Sequence, residues 1–264
     1  MLASILSKIS PFYPWADRIH CFDSLDSTND LLKTMARQGA PHGTAILAKH
    51  QTGGHGRMGR TFHSPEGGVY LSFLLRPDCL PGSLMHLTCA AAVAMCDAVE
   101  QAAAIRPGIK WTNDLVWEKR KLGGILTELG LSPRGGVDYA IIGIGINCCQ
   151  QAQDFPEEIR SIATSLHQIT GTDVSPADVA AAMLEALHRM DSILLSGKEA
   201  LLDRYRTDCV TVGQEISVVR GSEVRHGKAL CVDAEGALVV EYPDMTREAV
   251  TSGEVSIRGM YGYV

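Results

Sequence analysis

No Cys-x-x-Cys, no histidines at zinc-finger spacing and no Gly-x-x-x-x-Gly-Lys-Ser/Thr occur in the 264 residues, and no glycine cluster opens an obvious helix. A zinc site, a P-loop and a dinucleotide fold are thereby set aside. A basic excess is missing too: 24 Lys and Arg against 30 Asp and Glu leave a net charge of −6. That is the wrong sign for neutralising a nucleic-acid backbone, so no DNA-binding role is expected. There is no internal repeat, low-complexity linker or secretory run: Met1–Pro11 is short and interrupted, with its first cation at Lys8. The longest apolar stretch, 84–105, carries His86, Asp97 and Glu100, which makes it a buried amphipathic helix rather than a membrane span. A cytoplasmic chain is expected. Its eight cysteines, at 21, 79, 89, 96, 148, 149, 209 and 231, read as small buried hydrophobes in a reducing compartment, although their even number would suit disulfides in a secreted chain.

What is present suffices for a full α/β core with a small domain left over, at 45% hydrophobic and 20% charged residues. The most informative stretch is Gln51-Thr-Gly-Gly-His-Gly-Arg-Met-Gly-Arg60, which follows the strand-like Ala45-Ile-Leu-Ala48. Glycines let backbone amides approach a ligand that a Cβ would obstruct, and guanidinium forks match phosphate oxygens, so this loop suits an anionic, activated intermediate. By composition alone it reads equally as a mobile surface connection.

Ser27-Thr-Asn-Asp30 has the capping-box spacing, and Leu31, Leu32, Met35 and Ala36 follow at helical intervals until Gly39. Strands are expected at 44–50 and at 69–75, the latter with Val69, Leu71, Phe73 and Leu75 on one face. After a helix over 84–104, strands are expected at 109–111, 115–117, 124–129 and 139–146, with a turn at 118–121. Helices over 177–195 and 198–208 complete an α+β layering, a mixed sheet with helices packed on it. From Gly213 short alternating strands take over, at 215–220, 228–232, 237–241 and 254–258, broken by turns such as Asp233-Ala-Glu-Gly236. The division expected is 1–210 for a catalytic domain and 211–264 for a small β-barrel.

Lys110-Trp-Thr-Asn-Asp114, followed by Lys121-Leu-Gly-Gly-Ile-Leu-Thr-Glu128, puts an amide, a carboxylate and a lysine around a tight turn. These segments resemble the Lys-Trp-Pro-Asn-Asp and Arg-Lys-Leu-Ala/Gly-Gly-Ile-Leu motifs of the biotin protein ligases. The glycine loop is similar to that family's Gly-Arg-Gly-Arg-x-Gly-Arg loop, Asp26-Ser-Thr-Asn29 to its opening Ser-Thr-Asn, and Gly143-Ile-Gly-Ile-Asn147 to its Gly-x-Gly-Ile-Asn strand. The resemblance runs from about residue 20 to the C-terminus. It implies a class II synthetase-like biotin/lipoate ligase core with a C-terminal SH3-like barrel. It further implies condensation of biotin with ATP and Mg²⁺ to biotinyl-5′-adenylate, then acyl transfer to a lysine of a biotin carboxyl carrier domain. Sheet pairing into a homodimer is a further implication.

By that resemblance Ser27, Thr28, Asn29 and Gln51 line the end of the pocket that takes the ureido ring. Gly54 and the backbone of His55, Gly56 and Arg57 run along the valeryl chain and carboxylate. From spacing alone Ser27 is a plain helix N-cap. Two anions must be joined, so fixed cations that tighten as charge builds are needed: Arg57, Arg60 and Lys121. The bland reading of Lys121 is one more cation in a charged turn. Asn113 and Asn147 are candidates for the nucleotide, against ordinary turn chemistry, and Phe62 and Trp111 for stacking on it, against core packing. Asp114 is the expected partner and proton acceptor of the incoming lysine. No protein-held metal is expected, only Mg²⁺ with ATP. Three departures stand out: His55 replaces the first loop arginine, Thr112 the proline, and Phe62 a frequent tryptophan. A lipoate or octanoate ligase shares the fold, but needs no hydrogen bonds for a ureido group. A biotin-sensing repressor is not expected, since only about twenty residues precede the motifs, too few for a helix-turn-helix. Retention of Lys121, Arg57 and Arg60 speaks against an inactive binding module.

Overall fold

A computed structural model of the chain describes residues 1–251 and the backbone of 256–259. Central strands buried along nearly their whole length and more exposed outer ones build a seven-stranded sheet: β1 (Ile19–Leu25), β2 (Ala45–Gln51), β3 (Gly68–Leu75), β4 (Gly108–Lys110), β5 (Asp114–Trp117), β6 (Arg120–Leu131) and β7 (Val137–Asn147). Its order is β1-β2-β3-β7-β6-β5-β4, with β1 and β2 parallel and every other pair antiparallel, so the sheet is mixed. Two helices cover one face: α3 (Leu87–Ala103) and α6 (Pro176–Ile193), packed on Leu47, Leu71, Phe73, Ile142 and Ile144. Strand periodicity sends the intervening residues to the opposite face, where α2 (Thr28–Arg37) lays Leu32 and Ala36 on Ile46, Leu74, Tyr139 and Ile141.

The remaining helices are short α1 (Leu2–Leu6), α4 (Glu157–Arg160) and α5 (Leu166–Thr170), and α7 (Lys198–Asp208), which leads to the second sheet. That sheet is antiparallel: β8 (Glu215–Arg220), β9 (Glu223–Val232), β10 (Leu238–Glu241), β11 (Arg247–Val250) and β12 (Ser256–Gly259), in the order β11-β10-β9-β8-β12. Glu254 and Val255, expected to begin the last strand, lie outside the described residues. The fold is the α+β arrangement expected. Between the sheets, the buried Trp111 donates its indole N–H to the Gly236 carbonyl at 3.0 Å, and Tyr205 donates its hydroxyl to the Thr112 carbonyl at 3.1 Å. The Trp111–Thr112 peptide is cis.

Differences from expectation are local. β1 escaped notice because only Ile19 is buried in this polar edge strand. The turn placed at 118–121 is tighter: Glu118 and Lys119 alone take positive φ, at 46° and 67°, as a two-residue hairpin demands. Arg120 and Lys121 therefore belong to β6, and Lys121 is held by a strand rather than a loop. Most of Pro81–Ala103, apolar enough in length and composition to cross a membrane, is buried within the fold.

Candidate active site

The face of the sheet that carries α2 also carries a cavity, because glycines remove side chains from it. A Cβ on Gly143 would overlap the amide of Asn29, and one on Gly145 would overlap the ring of Phe62. Gly124 on β6 lies beside them, 3.2 Å from Lys121 Nζ at its Cβ position. The glycines of the Gly-x-Gly strand thus make room by close approach rather than by unusual backbone angles.

At one end, polar side chains form a continuous chain. Ser27 caps α2, its Oγ accepting from the Asp30 amide at 3.3 Å. Thr28 donates both its amide, at 2.9 Å, and its hydroxyl, at 3.0 Å, to Gln51 Oε1, while Gln51 Nε2 donates to Ser64 Oγ at 3.0 Å. Ser72, fully buried on β3, reaches Thr28 Oγ1 at 2.8 Å and Asn29 Oδ1. Asn29 Nδ2 donates to Glu128 Oε2 at 2.8 Å, and Lys33 Nζ donates to Glu128 Oε1 and Asp30 Oδ1, each at 2.9 Å. Burial raises the Asp30 carboxyl, but hydrogen bonds from Lys33 and His55 outweigh it and hold the group below its usual range.

The glycine loop folds back on itself as a hairpin: Gln51 N donates to Ser64 O at 3.1 Å, Phe62 N to Gly54 O at 2.8 Å and Gly56 N to Arg60 O at 2.6 Å. Gly54 is needed for that self-packing, since a Cβ there would strike Phe62 O and Ser64 Oγ at 2.6 Å. Side chains tie the hairpin to its surroundings. Thr52 donates to Asp26, His55 Nε2 meets Asp30 Oδ2 at 2.8 Å, and Arg57 Nη1 donates to Asn113 Oδ1 at 2.9 Å. Burial pushes the Arg57 guanidinium below its ordinary value, with Asp114 opposing and Arg60 reinforcing the shift. Across the cavity Lys121 Nζ donates to Asp114 Oδ1 at 2.7 Å and sits 5.6 Å from the centre of the Phe62 ring.

Ser27, Thr28, Asn29, Gln51, His55, Gly56, Arg57, Phe62, Asn113 and Lys121, gathered by sequence reasoning from four segments, all line this one cavity, completed by Gly124, Ile125, Leu126, Gly143, Ile144 and Gly145. Asp114 stands behind it against Lys121. Other residues are not brought in. Arg60 is exposed on the outer limb of the hairpin. Trp111 is buried against Gly236, and Asn147 donates its amide to the Thr164 carbonyl at 2.9 Å, so neither side chain lines the cavity and each has a partner within the protein. Sequence reasoning passed over Ser72, Lys33 and Glu128. Ser72 had a signal, as a lone hydroxyl in an otherwise apolar strand apart from the Tyr70 phenol; Lys33 and Glu128 looked like ordinary surface charges. Among the described residues no group of three metal-ligating side chains gathers.

Comparison with known proteins agrees with this geometry. The biotin/lipoate A/B protein ligase family matches residues 21–147, and the biotin protein ligase C-terminal domain matches 211–258. The bifunctional ligase/repressor BirA of Bacillus subtilis is 38% identical over 221 residues, 83% of this chain and 68% of that protein. The biotin–[acetyl-CoA-carboxylase] ligase of Mycobacterium tuberculosis is 30% identical over 236 residues, 87% and 85% of the two chains. The solved structure of the Aquifex aeolicus biotin protein ligase in complex with biotin and ATP superposes with a TM-score of 0.78 at 29% identity, covering 92% of this chain and 99% of that one. A mixed sheet with a glycine-floored cavity and a basic hairpin over it is the architecture of an acyl-activating ligase of the biotin/lipoate class. Within that class the chain belongs to the biotin protein ligase family.

Proposed function

We propose that the chain joins biotin to ATP as biotinyl-5′-adenylate, releasing pyrophosphate, and then transfers the biotinyl group to a lysine of a biotin carboxyl carrier domain, the subunit of an acetyl-CoA carboxylase. The observation that carries the choice of biotin is a shortage of protons. Gln51 Oε1, Thr28 Oγ1, Ser72 Oγ and Asn29 Oδ1 make three successive oxygen–oxygen contacts, and only two hydroxyl protons are available to fill them. A ligand that brings N–H donors, as a ureido ring does, completes this end; a dithiolane cannot. This weighs against a lipoate or octanoate substrate.

Biotin's ring lies in this reading among Ser27, Thr28, Asn29 and Gln51, with its chain over Gly143 and Gly145 and its carboxylate toward Arg57 and Lys121. The two cations offset the negative charge that builds when the carboxylate oxygen attacks the α-phosphorus, with Arg60 left for outer phosphate oxygens and Mg²⁺ supplying charge neutralisation on the leaving pyrophosphate. Room in the cavity amounts to about 60 Å³, against roughly 300–1,000 Å³ for pockets that hold small ligands. The hairpin and Phe62 must therefore move aside for loading and return to keep water from the anhydride. The eight free thiols suit a reducing cytoplasm. We assign 1–210 to the catalytic domain and 211–264 to the C-terminal barrel, and a homodimer, if formed, to sheet pairing along β6 beyond Gly124, where Leu129 and Leu131 are exposed. The test is biotin-dependent ATP/pyrophosphate exchange, followed by mass addition of one biotinyl group to a carrier domain by the wild type and by Lys121→Ala. No exchange in the wild type would overturn the reading.

A further inference from the structure

Two neighbours compete for the N–H side of the Asn29 amide. One is the hydroxyl chain of Ser72, Thr28 and Gln51 at the ring end of the cavity; the other is Glu128 on β6, whose Oε2 takes Asn29 Nδ2 at 2.8 Å. Glu128 Oε1 is bound by Lys33 Nζ at 2.9 Å, and the same ammonium reaches Asp30 Oδ1 at 2.9 Å. Lys33 follows Asn29 by four residues along α2, so both side chains leave the helix on one face and meet the same carboxylate. Neither Lys33 nor Glu128 lines the cavity.

The direction of that amide decides how many protons the hydroxyl chain can draw on. Gln51 is fixed, because the Thr28 backbone N–H points at its Oε1 and needs an acceptor there. Asn29 has an alternative. With Nδ2 turned toward Ser72, its N–H would fill the Asn29–Ser72 contact, the Ser72 hydroxyl would fill the contact to Thr28, and the Thr28 hydroxyl the contact to Gln51. The chain would then be complete without any ligand. The carboxylate forbids this turn. Once ionised it only accepts, so a reversed amide would set its oxygen against Glu128 Oε2, and the Lys33 ammonium holds that charge in place. Asn29 Oδ1 is thereby kept over Gly143, where no Cβ intervenes.

We propose that Glu128, braced by Lys33, is a specificity-determining positioning residue: it fixes the Asn29 amide so that the ring subsite stays one proton short until a ligand brings an N–H. This rests on the biotin-ligase reading of the site. A buried acceptor without a donor is costly, and the site sheds that cost by binding a ligand that supplies one. The preference for a ureido ring over a dithiolane then originates behind the cavity wall, in an ion pair whose side chains are 25% and 32% exposed.

The test replaces the carboxylate by its isosteric amide. In Glu128→Gln the new side chain can offer an N–H to Asn29 Oδ1, which lets Asn29 reverse and complete the chain internally. Biotin affinity, measured by calorimetry, should fall about 10–100-fold while the KM for ATP stays within about twofold. Exchanging the two groups should undo the loss. When Glu128→Gln is combined with Asn29→Asp, position 29 again offers only acceptors to Ser72, with the glutamine N–H behind it, and most of the biotin affinity should return. A purely structural tie between α2 and β6 would weaken biotin and ATP together and would not respond to the exchange. Biotin affinity in Glu128→Gln within about threefold of wild type, a matching rise in the KM for ATP, or no recovery in the double variant overturns the proposal. Absence of biotin binding and of biotin-dependent pyrophosphate exchange in the wild type would instead sink the underlying reading, a result visible before any variant is made.

Discussion

Two segments deliver a cation to the same cavity by opposite means. The glycine hairpin brings Arg57 on a span closed by few backbone bonds, with Met58 and Gly59 in left-handed conformations at its tip and Met58 and Arg60 exposed. The β5–β6 hairpin brings Lys121 on a strand whose backbone is bonded on both sides of that residue: Lys121 N donates to Ile162 O at 2.7 Å and Thr164 N to Lys121 O at 2.8 Å. A charge that must be in place when bonds change belongs on the rigid carrier, and one that must let substrate in and hold product back belongs on the yielding one. In the proposed function, the same residue chemistry divides into catalysis and retention according to the backbone beneath it.

The largest effect that would break this division is expected at Lys121. Lys121→Ala should lower biotin-dependent pyrophosphate exchange by about 10²–10³-fold, the loss seen when a preorganised transition-state donor is removed, and a change of under threefold would remove the lysine from the chemistry. Arg57→Gly should leave part of that exchange while adenylate escapes to solvent roughly 10–100 times faster, as loss of a charge-assisted contact predicts. Undiminished retention of adenylate on a filter would count against a retaining role. Asn113→Ala, which takes away the acceptor that anchors Arg57, should raise escape only by about fivefold; an effect as large as that of Arg57→Gly would mean Asn113 touches the intermediate itself.

The smallest effect concerns the tether that Asp30 makes to His55 and Lys33. Because the Asp30 side chain is half exposed, Asp30→Asn should cost no more than about 0.5 kcal/mol. Asp30 is held below its usual range, so its contribution is fully present above the unfolded value of about 4 and is lost as pH falls through the lower folded one. The difference between wild type and variant in denaturant midpoint should therefore shrink below about pH 4. A gap that stays constant down to pH 2 would show that the tether does not depend on the carboxylate's charge.

Much of this was legible beforehand because it rests on local rules. Period-two alternation placed β3, a strand-like apolar run placed β7, the Ser27 cap placed α2, and four ordered motifs assembled the cavity from segments far apart in the chain. What stayed hidden depends on partners that a linear reading cannot see. The sequence around Trp111 and Asn147 did not reveal their partners in the fold: a carbonyl 125 residues further on takes the indole, and the Thr164 carbonyl takes the amide. The polar edge strand β1 and the charges of Lys33 and Glu128 gain meaning only once tertiary pairing sets them beside α2 and the hairpin.

The bond from Trp111 to Gly236 also bears on how the chain can be shortened. The tryptophan sits three residues before the carboxylate that Lys121 holds, and its buried indole is bonded to the turn between β9 and β10. A fragment ending at α7 would retain every cavity-lining side chain and still lose the footing of the peptide that aims them, exposing an indole to water where a buried wall had been. The C-terminal piece is in this sense a buttress for the chemistry, and its removal would be felt first as misalignment rather than as a missing group.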